Sequence, residues 1–158
     1  GLGLNYSKLS SFEFESLPHR QEQIMTKGGL LCINDSKATT PGATFFALQQ
    51  SEGDEINLIL GGRFKGLSIL EFVEGLRPFR KRLQRLFIYG ELAENGEVFR
   101  GLNLPVTCCS EWSDLLRQIE LHESWGDTLI LSPGCSSLDQ FSSYEERGQS
   151  FKDFILRQ

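Results

Sequence analysis

Ile56-Asn57-Leu58-Ile59-Leu60, ended by Gly61-Gly62, is the stretch that decides the fold. A short apolar run without regular polar alternation suits a strand buried on both faces, and paired glycines suit its exit. Thr128–Leu131, entered through Gly126-Asp127, has the same character, and Leu86–Tyr89 and Pro105–Cys109 supply two further strands. Helical segments lie between them. Pro41 fits a first helical turn capped by Thr39 or Thr40, and that helix runs to about Gln50. A second helix is predicted from about Ser68 to Arg85, with a break near Pro78. A weak helix follows over about Glu91–Arg100. Trp112, Leu115, Leu116 and Ile119 recur at helical spacing, and Tyr144, Gly148, Phe151 and Ile155 mark one face of a C-terminal helix. Upstream, Glu22–Thr26 and Leu30–Asn34 flank Lys27-Gly28-Gly29 and read as a hairpin. Strands alternating with helices predict an α/β fold. The expected architecture is a Rossmann-like, mostly parallel sheet of about six strands, one or two of them antiparallel, with helices on both faces.

Composition narrows the function classes. The 158 residues suit one domain at roughly 150 residues each. Sixteen basic residues against 21 acidic ones leave a net charge of −5, which argues against nucleic acid as a partner, since that binding neutralises phosphates with cations. The apolar runs fall far short of the ~20 residues that span a bilayer, so no membrane partner is expected. Cys32, Cys108, Cys109 and Cys135 form no CxxC pair, and His19 and His122 are the only histidines, so no metal site is predicted. Cys32, Cys108 and Cys135 lie in or beside apolar runs and are expected to be buried. Reduced thiols and a cytoplasmic location follow. Residues 1–16 carry no start Met and no leader pattern and read as a cut made inside a longer protein.

In open α/β sheets ligands bind at the carboxyl ends of the strands, which singles out three loops. The first, Asp35–Thr40, combines a carboxylate, an ammonium and hydroxyls before a helix start. The free N–H groups there suit an anion, Asp35 could accept from sugar hydroxyls, and Lys37 suits a phosphate; a capped turn with a solvated ion pair fits equally well. The second, Gly61–Gly66, offers two glycines for close approach to a ligand and two cations, Arg63 and Lys65. It also reads as a plain strand exit, and it is not a P-loop, whose GxxxxGK[ST] spacing occurs nowhere in the chain. The third, Ser132–Ser143, could hold a carboxylate through hydroxyls and backbone N–H groups, with Asp139 as an internal cap. Nucleophilic chemistry by Ser136 or Cys135 lacks a neighbouring base. Arg77, Arg80, Lys81, Arg82 and Arg85 read as the solvated face of a helix.

The stretches Asn34-Asp35-Ser36-Lys37-Ala38-Thr39 and Ser132-Pro133-Gly134-Cys135-Ser136-Ser137-Leu138-Asp139-Gln140-Phe141 resemble the C-terminal domain of the D-glutamate-adding Mur ligase family. Leu17-Pro18-His19-Arg20, Gly61-Gly62-x-x-Lys65-Gly66 and Tyr144-Glu145-x-Arg147-Gly148 fit the same pattern in the same order. The resemblance implies that residues 17–158 are this domain and residues 1–16 the end of a preceding central domain or linker. The P-loop and the Mg²⁺ ligands would lie in that central domain. The activity implied is ATP-dependent addition of D-glutamate to UDP-N-acetylmuramoyl-L-alanine through an acyl phosphate, with ATP and Mg²⁺ as cofactors. Carried over residue by residue, Arg20 and Asp35 would contact ATP and Lys37 would act beside the phosphates. Thr39, Lys65, Ser137, Leu138 and Tyr144 would hold D-glutamate, the last two through backbone N–H groups. Thr40 and Tyr144 stand where the family commonly has Asn and Phe, and Arg63-Phe64 is an unusual loop filling. The alternatives are another Mur or folylpolyglutamate-type amide ligase, or a free-standing α/β nucleotide-binding module.

Overall fold

The computed structural model describes residues 17–66, 68–122 and 126–158. The expectation for residues 1–16 lies outside the described residues. The elements are β1 (Glu22–Met25), β2 (Leu31–Asn34), α1 (Pro41–Gln50), β3 (Ile56–Gly61), α2 (Ile69–Leu76), β4 (Leu83–Tyr89), α3 (Gly96–Phe99), β5 (Val106–Cys109), α4 (Trp112–Glu120), β6 (Thr128–Leu131) and α5 (Tyr144–Arg157). The sheet has six strands in the order β1-β2-β6-β3-β4-β5. Only the β1–β2 hairpin pairs antiparallel, and the other neighbours are parallel. The predicted architecture is therefore the observed one.

Two apolar layers sandwich the sheet. On one face Leu48 of α1, Phe72, Val73 and Leu76 of α2, and Phe99 of α3 pack on Ile56, Leu58, Leu60, Leu86 and Ile88. On the other, Trp112, Leu115 and Ile119 of α4 and Phe151, Phe154 and Ile155 of α5 pack on Ile59, Phe87, Leu129 and Leu131. The helices that follow β2, β3 and β4 thus share one face, and those that follow β5 and β6 share the other. Every residue of β3 is buried, as its apolar run requires.

Three expectations are corrected. The helix predicted over Ser68–Arg85 stops at Leu76, because Pro78 cannot donate an N–H. Arg77–Phe79 forms a single 3₁₀ turn and β4 begins at Leu83. The pairing register shifts between Ile56 and Asn57, whose β4 partners are Leu83 and Arg85. That irregularity turns Leu83 and Leu86 toward the same core, a three-residue spacing that mimics a helix. The weak helix splits into a 3₁₀ segment, Gly90–Asn95, the one-turn α3, and another 3₁₀ turn, Arg100–Leu102, ended by Asn103 in the left-handed region. Cys108 is exposed rather than buried, since it lies on the edge strand β5.

Candidate functional site

β6 lies between β2 and β3, yet the chain leaves it toward α5, on the face opposite α1 and α2. Adjacent strand ends that send their chains to opposite faces open a crevice, the topological switch point where α/β sheets take ligands. All three candidate loops end there: Asp35–Thr40 after β2, Gly61–Gly66 after β3, and Ser132–Ser143 after β6.

Asp35 is at the floor of that crevice. Its two carboxylate oxygens accept from the Gln21 N–H at 3.1 Å and the Ser132 hydroxyl at 2.9 Å, tying the end of β2 to the end of β6. Burial pushes its pKa up, against the opposing pull of Ser132, the Gln21 N–H and the Arg20 charge. Arg20, Gln21, Asp35, Lys37, Ala38, Ala43 and Phe46 line a hollow of about 300 Å³. The turn that presents Arg20 has positive φ at both His19 (61°) and Gln21 (47°). It is held by the Lys37 N–H donating to the His19 carbonyl at 3.0 Å and by Asn34 Nδ2 against His19 Nδ1 at 3.0 Å.

The loops are cross-linked. Arg63 and Ser136 exchange backbone hydrogen bonds of 2.8 and 3.0 Å, and the Gly134 N–H donates to the Ala38 carbonyl at 2.9 Å. Gly61 and Gly62 permit close backbone approaches within the protein itself. A Cβ on Gly61 would come within 2.3 Å of the Tyr89 carbonyl oxygen, and one on Gly62 within 2.2 Å of the Ser136 oxygen, both with φ above 100°. Arg63 is paired with Glu91 at 3.0 Å, and Asp139 accepts from the Glu91 N–H at 3.2 Å, so the third loop is pinned to the end of β4.

Arg147 joins the whole assembly and has no exposed surface. Its guanidinium donates to the Ser36 hydroxyl and carbonyl (2.9 and 2.7 Å), the Tyr89 hydroxyl (3.1 Å) and the Cys135 carbonyl (3.1 Å). The sequence reading missed it as a site residue. The signal was its register on α5, where Arg147, Phe151, Phe154 and Ile155 share the buried face. Burial holds the thiol of Cys135 and the phenol of Tyr89 up at about 12 each, so neither is a nucleophile at neutral pH.

The predicted residues fall into two groups. Arg20, Asp35 and Lys37 meet around the hollow. Lys37 Nζ also sits 5.8 Å from the centre of the Tyr144 ring, and the Tyr144 carbonyl accepts from the Ser36 hydroxyl at 2.7 Å. Thr39, Lys65 and Ser137 lie on the three crevice loops but outside that hollow. The cap of α1 is Thr40, whose hydroxyl accepts from the Ala43 N–H, so Thr39 is not the cap. Lys65 is exposed and Ser137 is buried. The Leu138 N–H donates within its own loop to the Ser136 hydroxyl at 3.3 Å. Tyr144 opens α5 behind its cap Ser143, where first-turn N–H groups have no helical partner. Among the described residues no group of three or more His, Cys, Asp or Glu could hold a metal ion. No described helix is long and apolar enough to cross a membrane.

The fold is shared with solved amide ligases of the Mur type. A MurF ligase from Thermotoga maritima, solved in complex with ADP, superposes with a TM-score of 0.55 at 17% identity, over 92% of this chain and 33% of that one. In sequence the chain is similar to D-glutamate-adding ligases. A UDP-N-acetylmuramoylalanine–D-glutamate ligase from Chlamydia trachomatis is 42% identical over 143 residues, 90% of this chain and 33% of that protein. The enzyme of that name from Helicobacter pylori is 36% identical over 156 residues, 95% of this chain and 35% of that protein. The chain spans about a third of the length of the curated relatives it matches. No family model matches it.

Proposed function

We propose that this chain is the domain of a cytoplasmic ligase that covers ATP and delivers D-glutamate to UDP-N-acetylmuramoyl-L-alanine. In that reaction the γ-phosphoryl group of ATP passes to the substrate carboxylate, giving ADP and an acyl phosphate. The D-glutamate amine then attacks the acyl carbon, and phosphate leaves as the amide forms. Arg20 and Asp35 bind the ribose–phosphate region of ATP. Lys37 offsets charge that develops on the transferring groups. Thr39 and Lys65 grip one carboxylate of D-glutamate, while Ser137 and the backbone N–H groups of Leu138 and Tyr144 grip the other. Holding the amine against the acyl phosphate makes the contribution of this domain one of proximity. Phosphoryl transfer requires a P-loop and Mg²⁺, which this reading assigns to a separate domain.

The observation that carries the reading is the gathering of Arg20, Asp35 and Lys37 around one hollow at the switch point. The names of its sequence relatives favour D-glutamate over the amino acids used by other ligases of this fold. The test is ADP release and amide formation by a protein that unites this chain with a P-loop domain. The expected result is dependence on both UDP-N-acetylmuramoyl-L-alanine and D-glutamate. A preference for L-lysine or diaminopimelate would overturn it in favour of another amide ligase. The chain by itself is expected to release no ADP, and substrate-dependent release from it alone would contradict the division of labour.

A further inference from the structure

We propose that Phe46 is the platform on which the nucleotide's purine base stacks, a role that rests on the nucleotide reading of the hollow and extends it. The lining of the hollow is chemically mixed: Arg20, Gln21, Asp35 and Lys37 are polar, and Ala38, Ala43 and Phe46 are apolar. Asp35, buried and already accepting two hydrogen bonds, suits the hydroxyl donors of a ribose. Arg20 and Lys37 suit phosphate oxygens. Those groups account for the sugar and the phosphates of a nucleotide and leave its flat aromatic part to the apolar residues.

Phe46 fits that part. Its neighbour Phe45 turns into the core and meets the Phe72 ring at 5.8 Å. Thr44, Ala47 and Leu48 are the buried side of the same helix. Phe46 stays 54% exposed while lining the hollow that contains Asp35. A large ring beside a carboxylate and two cations does not contribute to the core, and a planar base would cover it. Arg20 lines the same hollow and can add to the stack, since guanidinium groups pack on aromatic faces. A purine offers the larger face and is favoured over a pyrimidine. ATP and the uridine of the UDP-sugar are therefore distinguishable sources of the base.

The test follows backbone amide shifts of the isotopically labelled chain in titrations with millimolar ADP, UDP and ribose 5-phosphate, for wild type, F46A, F46W and D35A. Because Phe46 is outside both cores, F46A is expected to keep the wild-type dispersion of amide signals. Wild type should bind ADP more tightly than ribose 5-phosphate, with shifts at Ala43 and Phe46. F46A should lower ADP affinity roughly 5- to 100-fold, the range of base–aromatic stacking, and F46W should retain the preference for ADP. D35A should weaken ADP and ribose 5-phosphate alike. If D35A weakens ADP and F46A does not, the platform is overturned while the nucleotide reading survives. If ADP moves none of the amides lining the hollow, the nucleotide reading falls and the platform with it. Equal affinity for UDP and ADP would overturn the purine assignment.

Discussion

Asp35 is a carboxylate kept where burial penalises its charge. Burial raises its pKa above the usual value, in spite of the Ser132 hydroxyl, the Gln21 N–H and the Arg20 charge. The folded chain therefore holds a proton at this site at a pH where the unfolded chain has released it. That contribution to stability is present below the ordinary Asp range of about 3.9 and is lost as the pH climbs through the raised value. Asp35→Asn removes the titration. The Tm of wild type relative to D35N is therefore expected to fall as the pH rises from about 4 and then to level off. A Tm difference that stays flat, or grows with pH, would refute the account. Hydroxyl donors from a ligand would relieve the same penalty, which connects the instability to binding. Lys65 belongs to the other half of the site. In a protein uniting this chain with a P-loop domain, Lys65→Ala should raise the KM for D-glutamate roughly 10- to 100-fold, the scale of a lost charge-assisted hydrogen bond. The KM for ATP should stay the same; an equal rise in both would take Lys65 out of the D-glutamate grip. That Asp35, Lys37 and Lys65 stand at strand exits was legible in the sequence, because apolar runs ended by glycine or by a helix start mark such exits. For Arg63 the sequence left two readings open, a ligand cation or a surface charge, and the folded chain pairs it with Glu91 across 28 residues.

Elements were legible where a single rule governed them. β3 and β6 follow from short, mostly apolar runs, α1 from Pro41 with its cap, and α4 from helical spacing. Residues 77–86 were not, because the register shift opposite Ile56 disguised a strand as a helix. The basic cluster there is consequently not one solvated face. Arg77 does pair with Glu74 at the surface, but Arg80 donates to the carbonyls of Leu102 and Asn103. Arg82 reaches the end of α1, donating to the carbonyls of Leu48 and Gly53 at 2.9 Å each and to Ser51. α1 has no basic residue in its last turn, so Arg82 supplies from β4's approach the cation that a helix C-terminus favours. Arg82→Ala is expected to cost about 2–3 kcal/mol, since hydrogen bonds to a charged group are worth about 1.5–3 kcal/mol and water replaces part of them. For a domain of this size that corresponds to a fall of roughly 5–10 °C in Tm. Thermal unfolding of R82A within a degree or so of wild type would mean that α1 ends without its help.

At the scale of the molecule, the crevice is a consequence of strand order, and strand order is what the sequence pattern could not supply. Alternating elements predict a doubly covered sheet, but nothing local to Thr128–Leu131 says that it inserts between β2 and β3. That insertion brings three loops from distant parts of the chain to one place, and a single residue then has to hold them. Arg147 links Ser36, Tyr89 and Cys135, which belong to the exits of β2, β4 and β6. Arg147→Met keeps the length and apolar packing but leaves the Ser36 and Cys135 carbonyls and the Tyr89 hydroxyl without this donor. Each buried group left unmet costs about 1–3 kcal/mol, for a total of about 3–9 kcal/mol. That is a large share of the roughly 5–15 kcal/mol that stabilises an ordinary domain. Arg147→Lys retains the charge but lacks the planar fork, so it is expected to fall between wild type and R147M. Urea unfolding should rank the three in that order. Amide hydrogen exchange separates a hub from a mere core filler. In R147K, still folded, the Gly134 and Ser136 amides that cross-link the loops should lose protection before those of β3 and β4. Uniform loss across the sheet would mean that Arg147 supports the core as a whole and that the crevice loops hold one another without it.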